Sequence, residues 1–315
     1  LPSTGYLAYF MPEALYESLV WWGLAAFLMA LPRDQRLASA ALGALLGAAM
    51  LAKPNAAAVL VAANGVVALI AWRCLPPPQR LSRALQALLA LNLAFVATGY
   101  VLNLALTGHL RWDPMGTFYK AGLAQLAVVE GNAGFASDFT RYALVYVYAL
   151  LIAFGPVALV LIAGPSPARD ARTTALWGFA TIGVMALLLG SAKVGVNWER
   201  VYVGHMAIYS TRYMSVLFPL LVIAFWRFAP LSAERRTLRR VAGLALGVGL
   251  IVLTFAYRDI GNPTQLPEIF GTRHLYDRLF KPTMAAALLV TLYMAFAHRP
   301  AARVYAAFLF VFVGL

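Results

Sequence analysis

Two carboxylates one helical turn apart are the first chemistry this chain offers. In AYFMPEALYESL, residues 8–19, Glu13 and Glu17 precede VWWGLAAFLMAL, and no further charge occurs before Arg33. Pro12 suits a first helical turn, and a carboxylate behind it meets the positive end of the helix dipole. That accounts for Glu13 alone and leaves Glu17 unexplained. Like charges at i,i+4 repel, and this pair enters a low-dielectric segment. Either one carboxyl keeps its proton or a divalent cation sits between the two. An intramembrane ionisable group is a functional candidate by default, so Glu13 and Glu17 are taken as candidate catalytic acids. Tyr9 and Tyr16 fall on roughly the same helical face and are grouped with them as substrate contacts.

Two further groups carry fixed positive charge. In GALLGAAMLAKPNAAAVL, Ser39, Gly43 and Gly47 form a small-residue stripe that lets helices approach closely. The helix then stops at Lys53-Pro54, after roughly 24 Å of rise from Leu37, short of a hydrocarbon core about 30 Å thick. Lys53 therefore falls at a recessed end. It either satisfies a helix C-terminus or snorkels, or it offers a point charge to a lipid-linked phosphate. In NWERVYVGHMAIYSTRYMSVLFPLL, Arg212 and Tyr213 head a Pro-containing span. The pair reads as an interfacial anchor or as a guanidinium fork for a phosphate. His205 lies in the same stretch, as a surface histidine or a substrate contact.

Resident metals and nucleotides have no sequence support. His109, His205, His274 and His298 show no paired ligand spacing. There is no phosphate-binding glycine loop of the nucleotide-binding kinds. Cys74 is the only cysteine, which excludes an internal disulfide.

The elements that must position these groups are membrane helices. Of 315 residues, 62% are hydrophobic and 12% charged, against about a quarter charged in soluble domains. The apolar residues fall in long blocks, without the alternation of a β-barrel, and a backbone in lipid must satisfy its own hydrogen bonds. The expected fold is all-α, a single polytopic bundle. Its spans are Pro12–Leu31, Leu37–Ala52, Ala56–Trp72, Ala84–Leu106, Tyr142–Gly164, Ala175–Ala192, Tyr213–Phe228, Val241–Tyr257 and Thr283–Ala297, with a tenth beginning at Val304. The chain begins with Leu1 and stops inside an apolar run, and so reads as an internal piece of a longer membrane protein.

Charge sets the orientation. With residues 1–11 outside, the inside loops PRDQR, RCLPPPQRLSR, PSPARDARTT, PLSAERRTLRR and HRPAAR, with Arg227, hold 14 arginines against Asp34, Asp170 and Glu234. The other side holds 11 basic and 9 acidic residues. This positive-inside pattern accounts for the net charge of +13 without a nucleic-acid partner. The outside loops 107–141, 193–212 and 258–282 are long and chemically mixed, and functional residues concentrate on such loops. The first contains a candidate interfacial helix, Phe118–Val129. Within spans, Asn64, Asn92 and Asn103 are read as interhelical hydrogen-bonding groups.

Taken together, these motifs resemble the GT-C class of polytopic glycosyltransferases, closest in pattern to the protein O-mannosyltransferase and aminoarabinose-transferase branches. YFMPEALYESL is similar to the family's acid-headed outer helix, with Glu13 in the acidic place. GALLGAAMLAKPN is similar to its small-residue helix ending in a basic turn, with Lys53 in the basic place. TRYMSVLFPLL is similar to its late Arg-Tyr-x-x-x-x-x-Pro helix, with Arg212 in the Arg place. The resemblance implies a polyprenyl-phosphate-sugar donor and a glycan, lipid or protein acceptor. Lys53, Arg212 and Tyr213 would hold the donor phosphate, and Glu13 would be a supporting acid or second ligand. It also implies an integral membrane protein of a bacterial inner membrane, with its site facing outside. The family's principal catalytic acid lies in a first outer loop that nothing here matches, so that residue would lie upstream of Leu1. The competing expectations are a transporter or flippase of a lipid-linked glycan and a non-catalytic membrane subunit. Against the transporter, no internal repeat is evident, and the ionisable groups gather at span ends rather than at the midplane.

Overall fold

The computed structural model describes residues 2–53, 55–109, 134–164, 170–201, 215–256, 276–297 and 302–313, with backbone alone for residues 2–13, 194–195, 197–201, 215, 231, 233, 276–281 and 312–313. Among them every regular element is helical. In chain order these are α1 Pro2–Ala30, α2 Gln35–Ala52, α3 Ala56–Cys74, α4 Pro77–Thr107, α5 Phe135–Ala163, α6 Ala171–Gly178, α7 Val184–Val201, α8 Phe218–Ser232, α9 Arg236–Ala256, α10 Tyr276–Phe296 and α11 Ala302–Phe308. A π-helical stretch, Phe179–Gly183, joins α6 to α7. Among the described residues, six segments are long and apolar enough to cross a membrane: α2, α3, α4, α5, Ala171–Lys193 and α9. Four shorter apolar helices, Ala14–Ala30, Phe218–Pro230, Pro282–Phe296 and Ala302–Val311, accompany them. This is the helix content of an integral membrane protein, with six membrane-length helices where nine to ten spans were expected. The candidate interfacial helix Phe118–Val129 lies outside the described residues.

The chain forms two compact units, residues 1–125 with 167–187 and residues 126–166 with 188–315. In the first, α2 packs along α4, where the small-residue stripe does what its spacing requires. Ser39, Gly43 and Gly47 are buried, and a Cβ at Gly43 or Gly47 would collide with the carbonyl oxygen of Leu91 or Phe95. The two backbones are in contact because there is no side chain between them. The opposite flank of α4 presents Leu81, Leu85, Leu89 and Leu93, each more than half exposed, a four-residue stripe suited to lipid rather than water.

Polar groups inside this unit are paired locally. Asn92 Nδ2 donates to Asn64 Oδ1 at 2.7 Å, and Asn64 Nδ2 returns a bond to Asn92 Oδ1 at 3.4 Å. Each amide also donates to the carbonyl four residues earlier. The interhelical role expected of Asn64 and Asn92 therefore holds. The Asn103 amide donates to the His109 carbonyl just past the end of its own helix. There Gly108, at φ +71°, supplies the left-handed C-terminal turn. Asn64→Leu is expected to cost about 0.6–1.7 kcal/mol, and Asn64→Leu with Asn92→Leu less than the sum of the single changes. A double-mutant cycle on detergent unfolding measures the coupling; additive losses would mean that the two amides do not act as a pair.

The second unit is built around α5. Its helix breaks at Phe154 (φ −121°, ψ 18°), two residues before Pro156, whose missing N–H cannot continue the ladder. At the break the Ala153 carbonyl accepts the Tyr305 hydroxyl at 3.0 Å, so α11 supplies a bond at the kink. Gly155 admits α10 closely: a Cβ there would lie 2.7 Å from Thr291 Oγ1. In the first unit, the π-helical stretch has no proline. Thr181 Oγ1 donates to the carbonyls of Trp177 and Gly178 within it, the back-bonding that widens a turn.

Candidate functional site

The Glu13/Glu17 segment and Lys53 belong to one helical hairpin. The turn between α1 and α2 is fixed at Asp34, whose carboxylate accepts the Arg36 backbone N–H at 2.8 Å as an N-cap and meets the Arg36 guanidinium at 3.4 Å. That backbone hydrogen bond, reinforced by the guanidinium, holds the Asp34 carboxyl below its ordinary range. From this turn α1 and α2 run antiparallel. Gly23 of α1 lies against Leu42 and Leu45 of α2, which sets position 53 level with positions 12 to 15 of α1. The hairpin thus brings the levels of Glu13 and Lys53 together, although they lie forty residues apart in sequence.

The face of α1 that meets the hairpin is read from its buried residues, Tyr16, Val20, Leu24 and Phe27. At about 100° per residue, position 13 lies about 25° from the centre of that stripe and position 9 about 15°, whereas Glu17 lies about 65° away. Glu17 is accordingly half-buried. Positions 9, 13 and 16 therefore occupy one helical face, as the spacing predicted, with Glu17 on its flank. The side chains of Tyr9 and Glu13 lie outside the described part. The dipole explanation of Glu13 is corrected by the helix itself. Because α1 begins at Pro2, Pro12 is not in a first turn and position 13 is a helix interior, out of reach of an end effect that fades within one turn. Tyr16 is buried, and its hydroxyl has no hydrogen-bond partner among the described residues.

Lys53 is the C-cap of α2. Its backbone N–H donates to the Ala49 carbonyl at 2.9 Å, and its own carbonyl accepts from Ala56 at 3.2 Å as α3 begins. The contacts of Gly43 with Leu91 and Gly47 with Phe95 make α2 and α4 parallel, so position 53 falls level with Val101. From there α4 continues six residues to Thr107, about 9 Å further, and α1 extends about 16 Å beyond position 13 to Pro2. Lys53 is thus recessed, half-buried below the ends of two flanking helices. A cation at that depth is poorly hydrated, and an anion there gains more from it than at the surface.

His205, Arg212 and Tyr213 lie outside the described residues. Among the described residues no group of three His, Cys, Asp or Glu side chains could hold a metal. The sequence reading passed over a polar set on α5. Tyr142, Tyr146 and Tyr148 are buried, and the Tyr148 hydroxyl donates to Thr254 Oγ1 at 3.3 Å. Beside Thr254 an apolar groove of about 150 Å³ is lined by Leu250, Ile251, Phe255, Met284, Ala285 and Leu288. The available signal was three tyrosines within an otherwise aliphatic span. Compared with protein-family models, curated proteins and solved structures, the chain finds no match.

Proposed function

We propose that the chain is a membrane glycosyltransferase. It would move a sugar from a polyprenyl-phosphate donor to a glycan, lipid or protein acceptor at the extracytoplasmic face of a bacterial inner membrane. The observation that supports this most is the recessed Lys53, level with the Glu13 position on a helical hairpin whose next turn carries Glu17. A lipid-linked phosphate arrives at the depth of that lysine, and a carboxylate stands at the same level to receive a proton. In the reaction the acceptor hydroxyl oxygen bonds to the sugar's anomeric carbon, and the bond from that carbon to the phosphate oxygen breaks. The hydroxyl proton passes to a carboxylate, and polyprenyl phosphate leaves. The departing phosphate gains negative charge, which Lys53 and Arg212 would stabilise as fixed cations. Glu13 acts as a supporting acid or second ligand, Glu17 lies a turn deeper, and Tyr9, Tyr16, Tyr213 and His205 complete the walls.

Two measurements test this reading. The first is orientation. In a Cys74→Ser background, cysteine at Ser137 should be labelled by a membrane-impermeant reagent on intact cells, and cysteine at Ser82 only after permeabilisation. Both positions are exposed, Ser82 near the start of α4 and Ser137 near the start of α5. The reversed pattern would put the candidate groups on the wrong face. The second is transfer itself, followed in proteoliposomes with a radiolabelled polyprenyl-phosphate sugar. Wild-type protein that binds polyprenyl phosphate no better than a neutral polyprenol would remove the donor assignment.

A further inference from the structure

The N-terminal turn of α9 gathers positive charge that its own helix cannot stabilise. Arg235, Arg236, Arg239 and Arg240 fall within six residues, and the first turn contains no acid. Cations at this end of a helix oppose its dipole, and Arg236 and Arg240 repel each other at i,i+4. Arg239 is the extreme case, because its side chain is 1% exposed. Its Nε donates to the Ala295 carbonyl at 3.3 Å and its Nη2 to the Ala297 carbonyl, so it caps the C-terminus of α10. Its Nη1 is buried without a hydrogen-bond partner, and no carboxylate pairs with it among the described residues. Two neutral carbonyls are a weak counterpart for a guanidinium withdrawn from water, and a buried charge of this kind calls for an opposite charge nearby.

We propose that this counter-charge is the phosphate of an anionic glycerophospholipid, held by the exposed guanidinium groups of Arg236 and Arg240 at the end of α9. Arg240 lies against the same helix end that Arg239 caps, with its guanidinium 5.9 Å from the Phe296 ring centre. A phosphate bridging Arg236 and Arg240 therefore lies close enough to offset Arg239 through space, without displacing the carbonyls that Arg239 already holds. The surface that follows fixes the class of ligand. Directly along α9 from Arg240 run Val241, Leu244, Val248, Ile251, Val252 and Phe255, each between 42% and 71% exposed. Cationic groups at one end of an apolar, membrane-length stripe match a headgroup with its acyl chain, and basic groups at helix ends recognise anionic lipids in this way. A free phosphate would use the arginines and leave the stripe uncovered. The site is separate from the glycosyl-transfer reading and does not depend on it.

The test uses the detergent-purified chain, titrated with phosphatidylglycerol, phosphatidylcholine or inorganic phosphate, with retained lipid read by native mass spectrometry and stability by thermal unfolding. Phosphatidylglycerol should be retained roughly tenfold better than phosphatidylcholine and should raise the unfolding temperature of the wild type. Millimolar inorganic phosphate should not displace it. R236Q/R240Q should bind the two lipids equally, and R236K/R240K should keep most of the preference. Equal retention of both lipids by the wild type would overturn the proposal, whether or not any variant folds. An undiminished preference in R236Q/R240Q would also overturn it, and displacement by inorganic phosphate would leave a free-anion site in its place.

Discussion

Glu13→Gln is expected to cut glycosyl transfer about tenfold or more, a supporting role that falls short of the roughly 10²–10⁴-fold of a principal general acid or base, while the protein still inserts and folds. The side chain keeps its size and loses its charge and its proton-accepting oxygen. Repulsion with Glu17 disappears at the same time, so stability should hold or rise by a few tenths of a kcal/mol. Lys53→Ala should weaken polyprenyl-phosphate binding by a comparable factor, because a recessed cation is poorly replaced by water. Since positions 13 and 53 share a level, a purely structural ion pair is the alternative to be separated. The charge-swapped variant E13K/K53E does this. A structural pair would regain stability in the swap, whereas a donor-binding lysine would not be recovered and transfer should stay low. Wild-type transfer by Glu13→Gln, or restored transfer in the swap, would sink the assignment of these two residues.

Gly43→Ala should be among the most damaging small substitutions in the first unit. The added Cβ meets the carbonyl oxygen of Leu91, part of the α4 backbone, rather than the free end of a side chain. A flexible side chain could turn away, but a helix backbone can only move as a whole. Overpacking of this kind costs about 1–3 kcal/mol, and Gly47→Ala, which meets the Phe95 carbonyl, should cost a similar amount. The two sites press on the same pair of helices, so the double variant should cost less than the sum, since one displacement of α4 relieves both. Gly249→Ala is the control. It has open space around its added methyl and gains helix propensity of about 1 kcal/mol. Detergent-unfolding midpoints for the four proteins settle the matter. Gly43→Ala as stable as Gly249→Ala would mean that α2 and α4 do not touch along this stripe.

The difference between these two glycines shows what the sequence made legible. A run of Ser39, Gly43 and Gly47 at four-residue spacing has one structural use in a membrane helix, and the structure puts it to that use. The identity of the partner was not legible, because at the closest approach α4 meets the stripe with backbone carbonyls, which no side-chain pattern marks. The spacing of Tyr9, Glu13 and Tyr16 places these positions on one face of α1, since helical periodicity is local. The start of that helix is not legible from Pro12, which suits a first turn yet stands in the interior of α1. The level shared by positions 13 and 53 depends on a turn at Asp34 and an antiparallel return, which no local pattern encodes. Arg239 shows the limit most plainly. By sequence it is one of 14 arginines in or beside the short basic loops, and only tertiary packing sets the buried Arg239 apart from its exposed neighbours Arg236 and Arg240.

The parallel contact between α2 and α4 also constrains the order in which this unit is made. α2's two sequence neighbours are α1 and α3, yet the backbone contact its glycines exist for is with a helix that emerges from the ribosome two segments later. Until α4 enters the bilayer, α2 displays an open groove of small residues, and α3 has already been threaded through as the crossover that brings α4 back parallel. The first unit cannot then mature one hairpin at a time. Before α4 joins, the surface of α2 at Gly43 and Gly47 would be an uncovered notch. That notch is where an insertion chaperone or a quality-control protease would distinguish finished molecules from unfinished ones.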